Sequence, residues 1–203
     1  DIPGFMKKPS KMLSNFWRPL WRNTNNFQEV AWVWRRIPVP VIAVMHGRCY
    51  GAGVQIALAA DFRFATPDCE MSIMEAKWGL IPDMSGKVSF REVMPLDVAK
   101  KLSMTAEVFS AEQGKAYGLV TETHADPLAA AHALVTEIAT RSPDSVAATK
   151  FLFQRAWPAS VNKAFCLERW YQLRLLLGRN QKQAVKAAQT KQPATYGSRK
   201  VGC

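Results

Sequence analysis

Two short segments of the 203-residue chain carry residue types that could stabilise an oxyanion or exchange a proton. The first is Gly47-Arg48-Cys49-Tyr50-Gly51-Ala52-Gly53, followed by Val54-Gln55-Ile56-Ala57-Leu58-Ala59-Ala60, which is apolar nearly all round. A helix that begins at such a turn leaves its first backbone N–H groups unpartnered, with the positive end of the helix dipole behind them. It therefore favours a negative charge developing on a ligand. The same glycines equally suit a chain that needs only a positive φ or close packing. A dinucleotide fingerprint fits poorly, because Ile56 stands where its third small residue belongs. Neither G-x-x-x-x-G-K-[ST] nor G-x-S-x-G occurs.

The second segment runs from Met71 to Met84 and sets Glu75 and Asp83 among Met, Ile and Trp, on either side of Gly79-Leu80-Ile81-Pro82. A carboxyl group in apolar surroundings loses hydration, which favours its neutral form and brings it towards the pKa that a general acid or base needs. Either acid fits a surface or capping role as well. His46, His124 and His132 are too scattered for a triad or a metal set, and His46, at a strand end, reads as a core histidine. Cys49, Cys69, Cys166 and Cys203 form no C-x-x-C pair and have no histidine at ligand spacing, so no metal site is expected and a reducing compartment is.

The elements that must position these residues follow from periodicity. Phe27, Val30, Ala31 and Trp34 sit at helical spacing, and Pro38 and Pro40 end that helix. The β-branched run from Val39 to His46 predicts a strand buried on both faces, as in a parallel sheet. Phe62–Ala65 alternates as a second strand, and Cys69–Met74 reads as a third. Strand, helix, strand is the order of an α/β unit with a parallel crossover. From Leu96 onward the pattern is helical: Leu96–Leu102, Ser110–Tyr117, Pro127–Thr140, Pro143–Trp157 and Ser160–Leu177.

With 48% hydrophobic and 21% charged residues, the composition is that of a globular chain able to bury a core without disulfides, and it excludes collagen-like, mucin-like and wholly disordered classes. The longest apolar runs fall far short of the eighteen or so residues that a spanning helix needs, so no membrane partner is expected. The chain opens at Asp1 without a charged-then-apolar leader, which points to the cytoplasm, or to an organelle matrix if a transit peptide precedes it. The net charge of +11 is uneven. Residues 1–48 carry eight basic side chains against two acidic, residues 49–140 seven against twelve, and residues 141–203 twelve against two. A basic tail suits a polyphosphate ligand or nucleic acid, or is an ordinary solvated face.

The stretch from Pro40 to Ala65, with Gly47, Gly51-Ala52-Gly53, Gln55, Asp61 and Arg63, resembles the signature of the crotonase superfamily, the enoyl-CoA hydratase/isomerase family. The likeness continues through Glu75, Gly79-Leu80-Ile81-Pro82, Met104-Thr105 and Ala116–Val120 and covers most of the chain. It implies an α/β fold: a ββα spiral core over residues 1–125, N-terminally incomplete, then a helical C-terminal region over 126–203 that drives assembly into a homotrimer or a dimer of trimers. It further implies an acyl-CoA thioester substrate, with coenzyme A part of the substrate and no separate cofactor.

Carried over by position, the resemblance makes the Ala52 N–H one of two oxyanion-hole donors. The second would precede the chain, whose Asp1-Ile2 looks like the tail of the loop supplying it. Gly51, Gly53, Gln55 and Pro82 become substrate-binding residues. Family hydratases use two glutamates to activate water. Gln55 stands at the first of those positions and cannot exchange a proton, whereas Glu75 retains the second. Asp83 matches the extra aspartate of dienoyl-CoA isomerases. The expected function is therefore a double-bond isomerase with Glu75 and Asp83 as catalytic residues. The alternatives are an enoyl-CoA hydratase, or a non-catalytic scaffold binding RNA or protein through the basic tail and its Trp157, Phe165, Trp170 and Tyr171. Of these partners, nucleic acid is the less favoured. Met6, Met12 and Phe16 are candidate linings of an acyl pocket.

Overall fold

The computed structural model describes residues 14–201, which therefore excludes Met6 and Met12. The chain divides into two compact units. One holds the residues up to Arg36 with Ala43–Ala125, and the other holds Ile37–Ile42 with the chain from Asp126 onward.

In the first unit, helix α1 (Asn26–Arg36) ends ahead of Pro38 and Pro40, and strand β1 (Ile42–Met45) follows. The chain then makes β2 (Arg48–Tyr50), α2 (Ala52–Ala57), β3 (Phe62–Ala65), β4 (Glu70–Ser72) and a 3₁₀ segment over Met74–Trp78. Next come α3 (Gly86–Val93), α4 (Leu96–Thr105), β5 (Phe109–Ser110), α5 (Ala111–Ala116) and β6 (Glu122–Thr123). The strands form two sheets, ordered β1-β3-β6 and β2-β4-β5, with β2–β4 and β3–β6 parallel and β4–β5 antiparallel.

Three expectations are corrected. The Val39–His46 strand is shorter, with only Met45 buried, because β1 is an edge strand and Pro40 shortens its start. His46 lies exposed just beyond that strand rather than in the core. Strands also persist beyond Leu96, as the two-residue β5 and β6 that complete the sheets.

The core of this unit gathers Met45 and Ala65 from one sheet, Met71 and Phe109 from the other, Val54, Phe90 and Leu102 from α2, α3 and α4, and Leu58, Ile73 and Leu119 from the segments between. Each fully buried side chain larger than alanine contributes about 1.5–3 kcal/mol. Gly118, at φ +87°, closes α5 against α3: a Cβ there would stand 2.0 Å from the Val93 carbonyl oxygen. The buried Arg63 guanidinium donates to the carbonyls of Ala60 and Leu119, tying the end of α2 to the approach to β6.

The second unit is helical: α6 (Pro127–Ala139), α7 (Pro143–Ala156), α8 (Val161–Leu176) and α9 (Arg179–Thr190). Asp126 and Ser142 cap the N–H groups of Ala129 and Ser145, and each is followed by a proline at the first helical position, where no N–H is needed. Its small core joins Ala148, Phe151 and Tyr171 to Val201 of the tail. Tyr171 is therefore not a free stacking surface, and its hydroxyl accepts from Arg155 at 2.8 Å.

Asp144, buried at the start of α7, fastens that tail. Its carboxylate accepts from the N–H groups of Lys200 (2.6 Å) and Val201 (2.7 Å) and from the Asn180 amide (2.7 Å). Burial works to raise its pKa, but these donors and the Arg199 charge outweigh burial and hold it below the ordinary aspartate value. A carboxyl group depressed in the native state stabilises the fold fully above its unfolded pKa and loses that contribution as pH falls through the native value. Denaturant titrations between pH 6 and pH 3 are thus expected to show stability falling below about pH 4, with the fall shallower in Asp144→Asn.

Candidate active site

The site is built where two parallel neighbours end side by side. The β2–β4 register pairs Tyr50 with Ser72, so the segments leaving each strand, Gly51-Ala52 and Ile73–Glu75, emerge at one edge. The Gly51 N–H donates to the Ser72 carbonyl at 2.9 Å and extends that ladder by one bond. Gly51 then turns at φ 51°, ψ −116°, conditions that suit glycine, and α2 begins without a side-chain cap. Among the described residues, no acceptor takes the Ala52 N–H.

Glu75 lies on the 3₁₀ segment directly over this turn: a Cβ at Gly51 would stand 3.5 Å from its Oε1. It is 9% exposed. Its Oε1 accepts from Gln55 Nε2 at 2.6 Å, while its Oε2 is buried with no hydrogen-bond partner among the described residues. Gly79 ends the segment in the left-handed region and turns the chain into Leu80–Met84.

These residues surround a cavity of about 510 Å³. Gly51, Ala52, Gln55, Glu75 and Asp83 all line it. Burial raises the Asp83 pKa above the ordinary aspartate value. Gly53 and Pro82 are not in the lining: Gly53 backs onto Cys49, its would-be Cβ 3.7 Å from that Sγ, and Pro82 is half-buried in the loop. Phe16 does line the cavity, as do Phe27, Tyr50, Met74, Trp78 and Met84, which sequence reasoning did not select. Phe16 and Phe27 pack with ring centroids 4.9 Å apart. The signal for these residues was only their apolar character, which core residues share.

The walls are mostly apolar, and Gln55 and Glu75 meet beside the Gly51-Ala52 turn. An unpartnered amide at the head of a helix can hold a developing oxyanion, and a carboxylate held beside it can take a proton from an adjacent carbon.

The comparisons agree with this fold. The enoyl-CoA hydratase/isomerase family model matches residues 20–196. The solved enoyl-CoA hydratase from Polaromonas sp. JS666 superposes with a TM-score of 0.84 at 25% identity, covering 97% of this chain and 76% of its own. Enoyl-CoA hydratase EchA1 from Mycobacterium marinum gives 0.74 at 28% identity, over 79% of this chain and 66% of its own. The fold is thus α/β of the crotonase type with a helical C-terminal region.

The chain belongs to the enoyl-CoA hydratase/isomerase family. Curated relatives include the carnitinyl-CoA dehydratases of Escherichia coli (strain K12) and Salmonella typhi, 28% and 27% identical over 128 residues, or 62% of this chain. The match spans about half the length of these relatives, 49%.

Proposed function

We propose that the protein isomerises the double bond of an enoyl- or dienoyl-CoA through a thioester enolate. The C2–H bond breaks, the proton passes to the Glu75 carboxylate, and the C–H electron pair moves through the carbonyl carbon to the thioester oxygen, held by the Ala52 N–H. Collapse of the enolate with protonation at C4 by the same Glu75 shifts the double bond and leaves the atoms balanced. With a dienoyl substrate, Asp83, raised towards its neutral form by burial, delivers the proton at C6 instead.

The observation that carries this reading is the pairing of Glu75 with Gln55. One carboxylate faces the turn, and the position that would supply a second catalytic carboxylate holds an amide that donates to it. The apolar lining suits an acyl chain.

Water addition or elimination is the second reading, favoured by the dehydratase and hydratase relatives, with Asp83 as the partner acid. Assays of the purified full-length protein on 3-enoyl-, 3,5-dienoyl- and 2-enoyl-CoA separate the two. Fastest turnover of a 3-enoyl or 3,5-dienoyl substrate is expected, and fastest hydration of 2-enoyl-CoA would overturn the isomerase assignment. The exposed apolar side chains of α8, Val161, Phe165, Leu173 and Leu176, suit burial between copies of the chain in a trimer or dimer of trimers.

A further inference from the structure

We infer that Gln55 is a positioning residue that fixes the Glu75 carboxylate over the Gly51-Ala52 turn. The inference rests on the proposed role of Glu75 as base. Gln55 is 1% exposed, and the protein uses both ends of its amide. Its Oε1 accepts from the N–H of Met84 at 2.8 Å and of Gly86 at 3.2 Å. Two donors facing one end of an amide require that end to be the oxygen, so the NH₂ group must face Glu75, where it donates to Oε1 at 2.6 Å. The carboxylate is held in one orientation, with Oε1 turned towards Gly51.

The loop that carries Asp83 is built around this amide. Helix α3 has no cap from its own N-cap residue, Ser85; the N–H of its first residue, Gly86, is met by Gln55 from α2. Ser85 adopts φ 65°, a left-handed conformation that costs a non-glycine residue energy. A Cβ on Gly86 would stand 2.7 Å from Gln55 Oε1 and 3.0 Å from Phe90, so only glycine lets the helix start come this close. A glutamate at position 55 could still accept from both backbone N–H groups, but its carboxylate would oppose that of Glu75 unless the two shared a proton.

Acceptor and donor halves are therefore separable. In the full-length protein, Gln55→Glu keeps the loop anchor but sets two buried carboxylates face to face, so its Tm is expected to match wild type at about pH 5, where the pair shares a proton, and to fall below it at about pH 8. Its kcat on 3-enoyl-CoA and its rate of C2–H exchange into D₂O, followed by NMR, are expected to fall about a hundredfold with KM changed less than about threefold, the cost of a misplaced reacting group. Gln55→Met loses both halves and is expected to lower Tm as well, since two buried N–H groups lose their acceptor. A Gln55→Glu variant that exchanges C2–H at the wild-type rate overturns the inference while leaving Glu75 as base. A wild-type protein that exchanges C2–H on no acyl-CoA overturns the base assignment, and the inference with it.

Discussion

Glu75→Gln is expected to remove at least about a thousandfold of kcat on 3-enoyl-CoA, the upper part of the range that a positioned general base supplies. Fold and KM are expected to stay near wild type. The glutamine carbonyl can still accept from Gln55, so the one bond made by the carboxylate survives. Burial of a charge with an unpartnered oxygen is relieved, while the new amide N–H takes up the unpartnered position at Oε2. Circular dichroism and thermal melting report the first half of this expectation, and steady-state kinetics the second. An active Glu75→Gln variant would show that another group takes the proton, and Asp83, in the same cavity, would be next to test.

The second large effect is expected from Ala52→Pro. Ala52 is the first residue of α2, a position where proline fits and where the N–H has no intrahelical partner. The glycine before it, at φ 51° and ψ −116°, escapes the clash that proline imposes on a preceding side chain. The substitution thus deletes a donor with little other change. Loss of one oxyanion donor corresponds to about a hundred- to thousandfold in kcat. Near-native Tm with that loss is the expected result. Wild-type turnover in the proline variant would exclude the Ala52 N–H as the oxyanion donor.

Legibility varied with how local the forces were. β3 (Phe62–Ala65) matches its alternation residue for residue, and α6, α7 and α8 start within a residue of their expected caps, because Asp126-Pro127 and Ser142-Pro143 settle the N-termini locally. β2 (Arg48–Tyr50) was not foreseen: three residues show no period, and they become a strand only by pairing with β4. α9 (Arg179–Thr190) was missed because its apolar side is only Ala184, Val185, Ala187 and Ala188, short side chains in an otherwise polar segment. α3 escaped notice because its start is capped from α2, thirty-one residues earlier.

In the candidate site, Glu75 and Asp83 could be picked out by residue type and apolar neighbours, and Ala52 by the place that the family resemblance gives it in the Gly-rich turn. Gln55 was read as a group for holding water or substrate, and its use by Glu75, Met84 and Gly86 could not be seen. Those partners lie 20, 29 and 31 residues away in the chain. Asp144 is similar: its position at a helix start was plain, but the tail amides that it holds come 56 and 57 residues later.

What the sequence by itself determined is the family, the type of most long elements, and the pair of segments that carry an amide turn and a carboxylate. Hydrophobic period, capping and turn residues act over a few positions, and they were sufficient for that. Only the tertiary structure decided how the Glu75 carboxylate is held, which aromatics wall the cavity and which backbone groups claim Gln55. Hydrogen bonds and close packing between distant segments depend on strand register and chain approach, and these exist only once the β2–β4 pair has brought two remote turns to the same edge.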